Sequence, residues 1–192
     1  MIRFNKDLLD FINELARAAP RGLILEREFA PEKVVLEQGV RVESVYIVKS
    51  GIVKCYVMQE NGSEFIQEFF GEGEIFGEIE MFHNDESFGC VEALTEARVY
   101  QIGRRNFDRL LTENERFNRL ILSGLAAKVK YKAFRHAFHQ LNPIETNLLR
   151  LKKQLPNFLE IISKQDVANY LGVTERSLNR SLKSLKEKNL LE

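Results

Sequence analysis

The chain has 192 residues, enough for one medium-sized domain or two small ones, and its 28 basic and 28 acidic residues give no net charge at pH 7. Residues 1–102 carry 10 Lys and Arg against 19 Asp and Glu, whereas residues 103–192 carry 18 against 9. This asymmetry indicates an acidic module joined to one that meets a polyanion. Two cysteines are too few for a disulfide framework, and we expect neither a secretory leader nor a membrane span, so a cytoplasmic location is predicted.

The first half of the chain changes from a helical to a strand period. Apolar residues at helical spacing predict a short amphipathic helix over residues 5–19, closed by Pro20. From Phe29 to Ile102 the apolar period becomes two, which predicts strands at 45–48, 52–58, 64–70, 90–94 and 97–102. Asn61-Gly62 lies between two of these segments and predicts a hairpin turn. Regularly spaced short strands favour an antiparallel roll or barrel.

A long helix is predicted after Gly103. Thr112 and Glu115 have the spacing of a capping box at its start, and Asn142-Pro143 ends it and forms a candidate hinge. Apolar residues recur along it at alternating spacings of four and three, a pattern typical of paired helices: Leu120, Gly124, Ala127, Tyr131, Phe134, Phe138 and Leu141. We interpret this seam as a dimer helix. The alternative is a helix that packs only on its own roll.

The last segment has the pattern of a helix-turn-helix. One further helix is predicted over residues 144–155. Ser163 and Asp166 then resemble a capping box, Gly172 can adopt the left-handed backbone that ends a helix, and Thr174 can cap the next one. The predicted buried stripe of the two helices consists of Val167, Ala168, Leu171, Leu178, Leu182 and Leu185.

The outward face of the second helix carries side chains suited to reading DNA: Glu175, Arg176, Ser177, Asn179, Arg180 and Lys183. Arginine pairs bidentately with guanine, asparagine with adenine, and lysine or hydroxyl side chains with phosphate. The alternative is a plain helical hairpin with a solvated polar face.

An acidic roll, a seam helix and a helix-turn-helix in this order resemble the Crp/Fnr family of bacterial transcription regulators. Residues 71–82, Gly-Glu-Gly-Glu-Ile-Phe-Gly-Glu-Ile-Glu-Met-Phe, are similar to the family's phosphate-binding cassette. The resemblance implies an α+β fold: a sensor roll (residues 1–112) of the cyclic-nucleotide-binding type, a dimerisation helix (113–141) and an all-α DNA-binding domain (142–192). It also implies that Gly77, Glu78 and Ile79 face a ligand, with Glu78 accepting from a ribose hydroxyl.

The sequence departs from the family pattern at the predicted ligand site. Nucleotide-binding members place an arginine and a small residue where this chain has Ser87 and Phe88. The resemblance puts Tyr131 and Lys132 beside the nucleotide base. A cyclic phosphate would lose its cationic partner at Ser87, so we do not expect tight binding of cyclic AMP or cyclic GMP, and the effector is left open.

The resemblance also implies partners and DNA contacts. Duplex DNA, a second copy of the chain and RNA polymerase are the expected partners, with a palindromic operator. Arg176 and Arg180 become base-edge candidates, and the expected phosphate contacts are Ser163, Lys164, Thr174 and Ser177. Members usually continue into a β-hairpin wing, whereas this sequence stops at Glu192, so we expect the wing to be absent or truncated and phosphate contacts to be fewer.

The sequence contains no pattern that indicates an enzyme, a metal site or an iron–sulfur cluster. No enzyme motif or metal-spaced cluster occurs, two cysteines cannot hold an iron–sulfur cluster, and Cys55 and Cys90 are interpreted as buried apolar residues. Of the carboxylates between residues 72 and 80, only Glu78 is predicted to be functional, and the rest are predicted to be solvated. The competing hypothesis is a cyclic-nucleotide-binding module that controls a partner protein through its terminal helices.

Overall fold

The computed structural model describes residues 2–18, residue 20 and residues 22–191, and within them the chain forms nine strands and eight helices. The strands are β1 (Ile2–Arg3), β2 (Leu25–Phe29), β3 (Val34–Leu36), β4 (Ser44–Ser50), β5 (Val53–Met58), β6 (Glu64–Phe70), β7 (Ile75–Phe76), β8 (Cys90–Ala93) and β9 (Ala97–Gly103). The helices are α1 (Lys6–Ala18), α2 (Glu78–His83), α3 (Arg104–Glu113), α4 (Glu115–Leu141), α5 (Ile144–Gln154), α6 (Phe158–Ile161), α7 (Lys164–Leu171) and α8 (Glu175–Glu187).

The strands form two facing sheets, one in the order β1-β6-β5-β8-β3 and one in the order β2-β9-β4-β7. Their pairings are antiparallel apart from the parallel pair β1 and β6, so the predicted α+β fold with an antiparallel roll is confirmed. The predicted hairpin at Asn61-Gly62 joins β5 to β6, with Gly62 at φ 80°. The predicted strands all occur, but β1, β2, β3 and β7 were missed because they are short or, like β2, largely charged and exposed.

The roll has an apolar interior closed at one end by helices. Inward side chains of both sheets pack with α1, α3 and the start of α4. Leu8 and Ile12 of α1 are fully buried there, as the helical spacing predicted, while Ala19 lies outside the described residues. Phe107 of α3 and Phe117 of α4 meet edge to face at 5.9 Å between ring centroids. These contacts attach the first two turns of α4 to the roll.

The long helix α4 begins two residues later than predicted. Asn114 caps it, since its side chain accepts from the backbone N–H of Phe117 at 2.9 Å. Thr112 lies inside α3 and donates its hydroxyl to the carbonyl of Asp108, so the predicted Thr112–Glu115 capping box is wrong. The physical reason is that α3 continues to Glu113, and a threonine within a helix bonds to the preceding turn. The predicted end before Asn142-Pro143 is confirmed.

Two faces of α4 carry apolar side chains. One face lies against the roll and buries Phe117, Ile121 and Gly124. The opposite face leaves Leu122, Val129, Phe134 and Leu141 between 61% and 81% exposed. The predicted seam is therefore divided, because Gly124 faces the roll whereas Phe134 and Leu141 face solvent.

The C-terminal helices pack on the outer face of the five-stranded sheet. Phe69 of β6 and Tyr170 of α7 lie 5.1 Å apart between ring centroids. The ammonium group of Lys54 on β5 donates to a carboxylate oxygen of Asp166 on α7 at 3.0 Å, and both side chains are buried. Apolar side chains of α5, α6, α7 and α8 share one core with this sheet face. No helix in the described ranges combines the length and apolar character needed to cross a bilayer.

Candidate functional site

A tight turn between β7 and α2 places two of the predicted ligand residues. Gly77 has φ 84°, and a Cβ added there would lie 2.9 Å from the carbonyl oxygen of Ser44. A side chain at this position would therefore be strained in its backbone and crowded by the neighbouring strand. The turn directs Glu78, the first residue of α2, into the roll, where it is 1% exposed.

Six of the seven predicted ligand residues line one cavity between the roll and α4: Gly77, Glu78, Ile79, Ser87, Phe88 and Lys132. They come from α2, from the segment before β8 and from α4, so tertiary folding brings together residues separated by up to 55 positions in the sequence. Apolar walls are supplied by Leu36, Cys55, Phe70, Phe76 and Val91. The predicted constellation is thus assembled, with one exception.

Tyr131 does not line the cavity. Its hydroxyl lies 2.9 Å from the hydroxyl of Tyr170 on α7, at the junction with the C-terminal helices. Each residue of an α-helix turns about 100° from the one before, so Lys128 and Lys132, four residues apart, share the cavity side while Tyr131 points toward the C-terminal helices. The resemblance matched Tyr131 by position along the helix, and only the packing of α4 shows its direction.

Lys128, which the sequence pattern did not single out, also lines the cavity. Its ammonium group donates to a carboxylate oxygen of Glu78 at 2.6 Å and also to the backbone carbonyl of Ile75. The ammonium lies 5.0 Å from the centre of the Phe70 ring. A signal was present in the sequence, since Lys128 precedes Lys132 by one helical turn and falls on the side of α4 that also carries Ile121.

Glu74 and Glu80 are buried, which corrects the prediction that the carboxylates around Glu78 are solvated, and Glu68 of β6 is buried as well. Glu74 is 3.2 Å from a guanidinium nitrogen of Arg3, and Glu80 lies 3.5 Å from the hydroxyl of Ser87. Glu68 of β6 lines the cavity without a hydrogen-bond partner among the described residues, and burial raises its pKa while the nearby Arg3 opposes that rise. Glu72 alone in this run is exposed, as predicted.

Cys55 behaves as the sequence predicted. Burial raises the pKa of its thiol to about 12, so the protonated, unreactive form dominates at neutral pH. Cys90 is also buried, at the start of β8. No group of three or more His, Cys, Asp or Glu side chains is arranged to hold a metal ion within the part of the chain that the structure describes.

The residues in the cavity do not fit a cyclic nucleotide. Ser87, where an arginine would neutralise the phosphate, donates its hydroxyl to the carbonyl of Gly89 at 2.6 Å. The carboxylate of Glu80 lies 3.5 Å from the hydroxyl of Ser87 and would repel an anion. The free volume is about 30 Å³, room for one or two water molecules, whereas ligand pockets typically measure about 300–1,000 Å³.

The second candidate site is the surface of α7 and α8. Ser163 accepts from the backbone N–H of Asp166 at 3.0 Å and begins α7, and Gly172 ends it at φ 66°. Thr174 then accepts from the backbone N–H of Ser177 at 3.2 Å and begins α8. The predicted caps and turn are confirmed, and together they fix how the second helix leaves the first.

One side of this unit is buried and the other faces solvent. Val167, Ala168, Leu178, Leu182 and Leu185 are buried, and Leu171 is half-buried. The predicted DNA-contacting residues are exposed, apart from the half-buried Ser177: Ser163, Lys164, Thr174, Glu175, Arg176, Asn179, Arg180 and Lys183. Lys183 is 3.9 Å from Glu187, a loose surface contact. Docking of α7 on the roll thus leaves the basic face of α8 accessible.

Comparisons with known proteins give a family for the roll and relatives along most of the chain. The cyclic nucleotide-binding domain family matches residues 26–114. The cAMP-activated global transcriptional regulator CRP of Salmonella typhimurium is 26% identical over 175 residues, covering 85% of this chain and 83% of its own. The nitrogen fixation regulation protein FixK of Rhizobium meliloti is 27% identical over 183 residues, covering 94% and 84%.

Solved structures show the same fold. The c-di-GMP responsive global regulator CLP of Xanthomonas campestris aligns with a TM-score of 0.77 at 19% identity, over 98% of this chain and 95% of its own. FixK2 of Bradyrhizobium japonicum aligns with a TM-score of 0.72 at 19% identity, over 86% of each chain. The likeness therefore spans the roll, the long helix and the C-terminal helices.

Proposed function

The chain belongs to the Crp/Fnr family of transcription regulators, and from that premise we propose that it binds a palindromic operator in duplex DNA as a homodimer. The observation that carries this proposal is the exposed basic face of α8 on a capped helix-turn-helix. A second helix with buried leucines and outward arginines is the unit that enters the major groove.

Each exposed residue has a proposed role. Arg176 and Arg180 contact base edges, with Asn179 and Glu175 beside them on the same face. The N-termini of α7 and α8 place hydroxyl and amino groups where phosphates pass, and these contacts are assigned to Ser163, Lys164, Thr174 and Ser177. Lys183, two turns further along α8, is assigned a phosphate contact through its ammonium group. Phosphate contacts would position the unit, and the two arginines would select the sequence.

The homodimer is proposed to form along α4. Leu122, Val129 and Phe134 are at least 61% exposed on one side of this helix. Small residues Ala126, Ala133 and Ala137 lie between them and allow close approach of a second helix. Two chains paired in this way would hold two copies of α8 for half-sites about 34 Å apart.

A cyclic nucleotide would be the expected effector for the roll of this family, but the cavity described above opposes an anionic ligand. RNA polymerase as a partner stays a prediction from the family resemblance. Because the proposed action is on DNA and the relatives are bacterial proteins, the proposed location is the cytoplasm. The competing module that controls a partner protein is not favoured, because the related proteins are transcription regulators.

Selection of bound DNA from a random pool tests the proposal directly. We expect recovery of a two-fold symmetric sequence and an affinity that falls steeply with salt, because each phosphate contact releases counterions. Failure to bind any duplex at low salt would contradict the proposal and return the partner-protein module to consideration.

A further inference from the structure

We propose that Lys128 is the resident ligand of the sensor cavity: its ammonium group fills the site and ties α4 to the roll without a small-molecule effector. The cavity therefore takes a primary alkylammonium group, supplied by the chain itself. The link from this occupancy to operator affinity rests on the proposed function, whereas the occupancy itself does not.

The bonding of Lys128 satisfies the ammonium group. Its three protons can serve two acceptors and one aromatic face. The carboxylate of Glu78 accepts at 2.6 Å, the carbonyl of Ile75 accepts a second proton, and the ring of Phe70 lies 5.0 Å away. Lys128 is 6% exposed although lysine is among the residues least often buried, so the cavity supplies the partners that such burial requires.

The rest of the cavity favours a cation over an anion. Glu68 and Glu80 are buried in the same lining, and Glu68 has no hydrogen-bond partner within the described ranges. Lys132 is the second cation in the lining, and it lies over the ring of Phe88, 5.8 Å from its centre. The guanidinium of Arg3 lies 3.7 Å from Glu68, so this carboxylate has its own cation outside the lining, and Glu78 is paired with Lys128. An incoming phosphate would therefore meet the carboxylate of Glu80 and would have to displace Lys128 from Glu78.

The position of Lys128 gives this bond a mechanical consequence. Phe117 and Ile121 attach the first turns of α4 to the roll, and the Lys128–Glu78 pair extends that attachment by about two turns. Further along, Arg135 donates to the backbone carbonyl of Gln67 on β6. Because α4 carries the exposed apolar face and leads to the DNA-binding helices, its fixed direction would hold the dimer in one geometry without an effector.

Replacement of the side chain by a free amine tests the assignment on the full-length chain. Lys128→Ala removes a propylammonium group, so n-propylammonium chloride is the matched probe and tetramethylammonium chloride, which donates no hydrogen bond, is the control salt. We expect the variant to unfold about 10 °C below the wild type. Millimolar n-propylammonium should recover about half of that difference in the variant and leave the wild type unchanged. Lys130→Ala, at an exposed lysine of the same helix, should lose no more than about 1 °C and respond to neither salt.

Two results would overturn the assignment. One is an identical amine response of Lys128→Ala and Lys130→Ala, and the other is micromolar binding of cyclic AMP or cyclic GMP to the wild type in calorimetry.

If Lys128→Ala does not fold, a second variant tests the pair, because Lys128→Met keeps the apolar stem of the side chain. In a double-mutant cycle of Lys128→Met with Glu78→Leu, the double variant should be more stable than the sum of the two single losses predicts. Additive losses would contradict the pair. Thermal recovery by the amine together with no DNA binding by the wild type would keep the cavity assignment and refute the regulator.

Discussion

Charged side chains lie in opposite environments in the sensor cavity and on the recognition surface, which is the exposed face of α8. In the cavity Lys128 and Glu78 are buried, 2.6 Å apart, and turned toward each other. On α8 Arg176 and Arg180 are exposed and turned toward solvent. A buried charge must find its partner within the chain, whereas an exposed charge is free to serve a partner outside it. From this difference we expect the roll to be closed to anions and the C-terminal unit to be open to them.

The largest expected effect comes from removing the carboxylate of the cavity. Glu78→Leu leaves the ammonium of Lys128 buried without its carboxylate partner, which should lower the free energy of unfolding by about 3–5 kcal/mol. The same substitution at exposed Glu175 should change it by no more than about 1 kcal/mol. Urea unfolding of both variants checks this contrast, and equal losses would mean that burial does not distinguish the two regions.

A substitution on the exposed apolar face of α4 tests whether the recognition surfaces of two chains must act together. Phe134→Asp puts a charge where Phe134 is 61% exposed, so the monomer should fold while the dimer is lost. Operator affinity should fall about 100-fold to 10,000-fold, because the second half-site no longer profits from an effective concentration. Sedimentation and binding measurements test both points. An intact dimer would show that this face is not the interface.

The contact between the two regions can be loosened at Lys54. Its ammonium is 3.0 Å from Asp166 of α7 and 3.3 Å from Glu92 of β8. Lys54→Met leaves Asp166 buried and unpaired, so we expect a loss of about 2–4 kcal/mol in unfolding free energy. Lys49→Met breaks the surface pair with Glu26 and should cost about 0–1 kcal/mol. Chemical denaturation with both variants gives the comparison, and a similar small loss in each would argue against a structural role for the buried pair.

The residues of the recognition surface should divide into those that contact bases and those that contact phosphates. Arg180→Ala should weaken operator binding by about 1–3 kcal/mol and relax the preference at one base position. Lys164→Ala should weaken binding to all sequences alike and reduce the salt slope by about one unit. Competition between operator and random DNA over a range of salt separates these results. If Arg180→Ala binds all sequences as well as the wild type does, the base-edge role is wrong.

The smallest expected effect is a pH dependence at the junction of the two regions. His139 packs edge to face on Tyr170 at 5.5 Å between ring centroids, and burial together with the nearby charges of Arg135 and Arg150 lowers its pKa from 6.5 to about 4. The unfolded state therefore binds a proton first, and stability present above pH 6.5 is lost as the pH falls toward 4. Because His139 is only half-buried, we expect a loss of only about 1–2 kcal/mol.

Thermal unfolding between pH 7.5 and 5 measures this loss, and His139→Gln should flatten it. The NMR titration of the imidazole gives the pKa directly. A pKa near 6.5 would contradict the buried position of His139 at the junction.

The sequence by itself determined the longer strands, the long helix and the helix-turn-helix in their order, because the signals for them are local, whereas the short strands β1, β3 and β7 carry too few residues to give such a signal. The alternation of apolar residues in β5 and β6, the turn at Asn61-Gly62 and the caps at Ser163 and Thr174 each depend on neighbours a few residues away. The capping box at Thr112 failed as a local signal because α3 continued through it. Local patterns predict where an element lies more reliably than where it ends.

Only the tertiary structure decided which side chains meet. Lys128 and Glu78 are 50 residues apart, and their pairing depends on how α4 lies across the roll. The same packing turned Tyr131 away from the cavity toward Tyr170 and buried Glu74 and Glu80, which the sequence presented as members of an acidic run. Such contacts depend on direction and burial, which sequence spacing does not encode, and here they decide whether the roll admits a ligand or holds its own lysine.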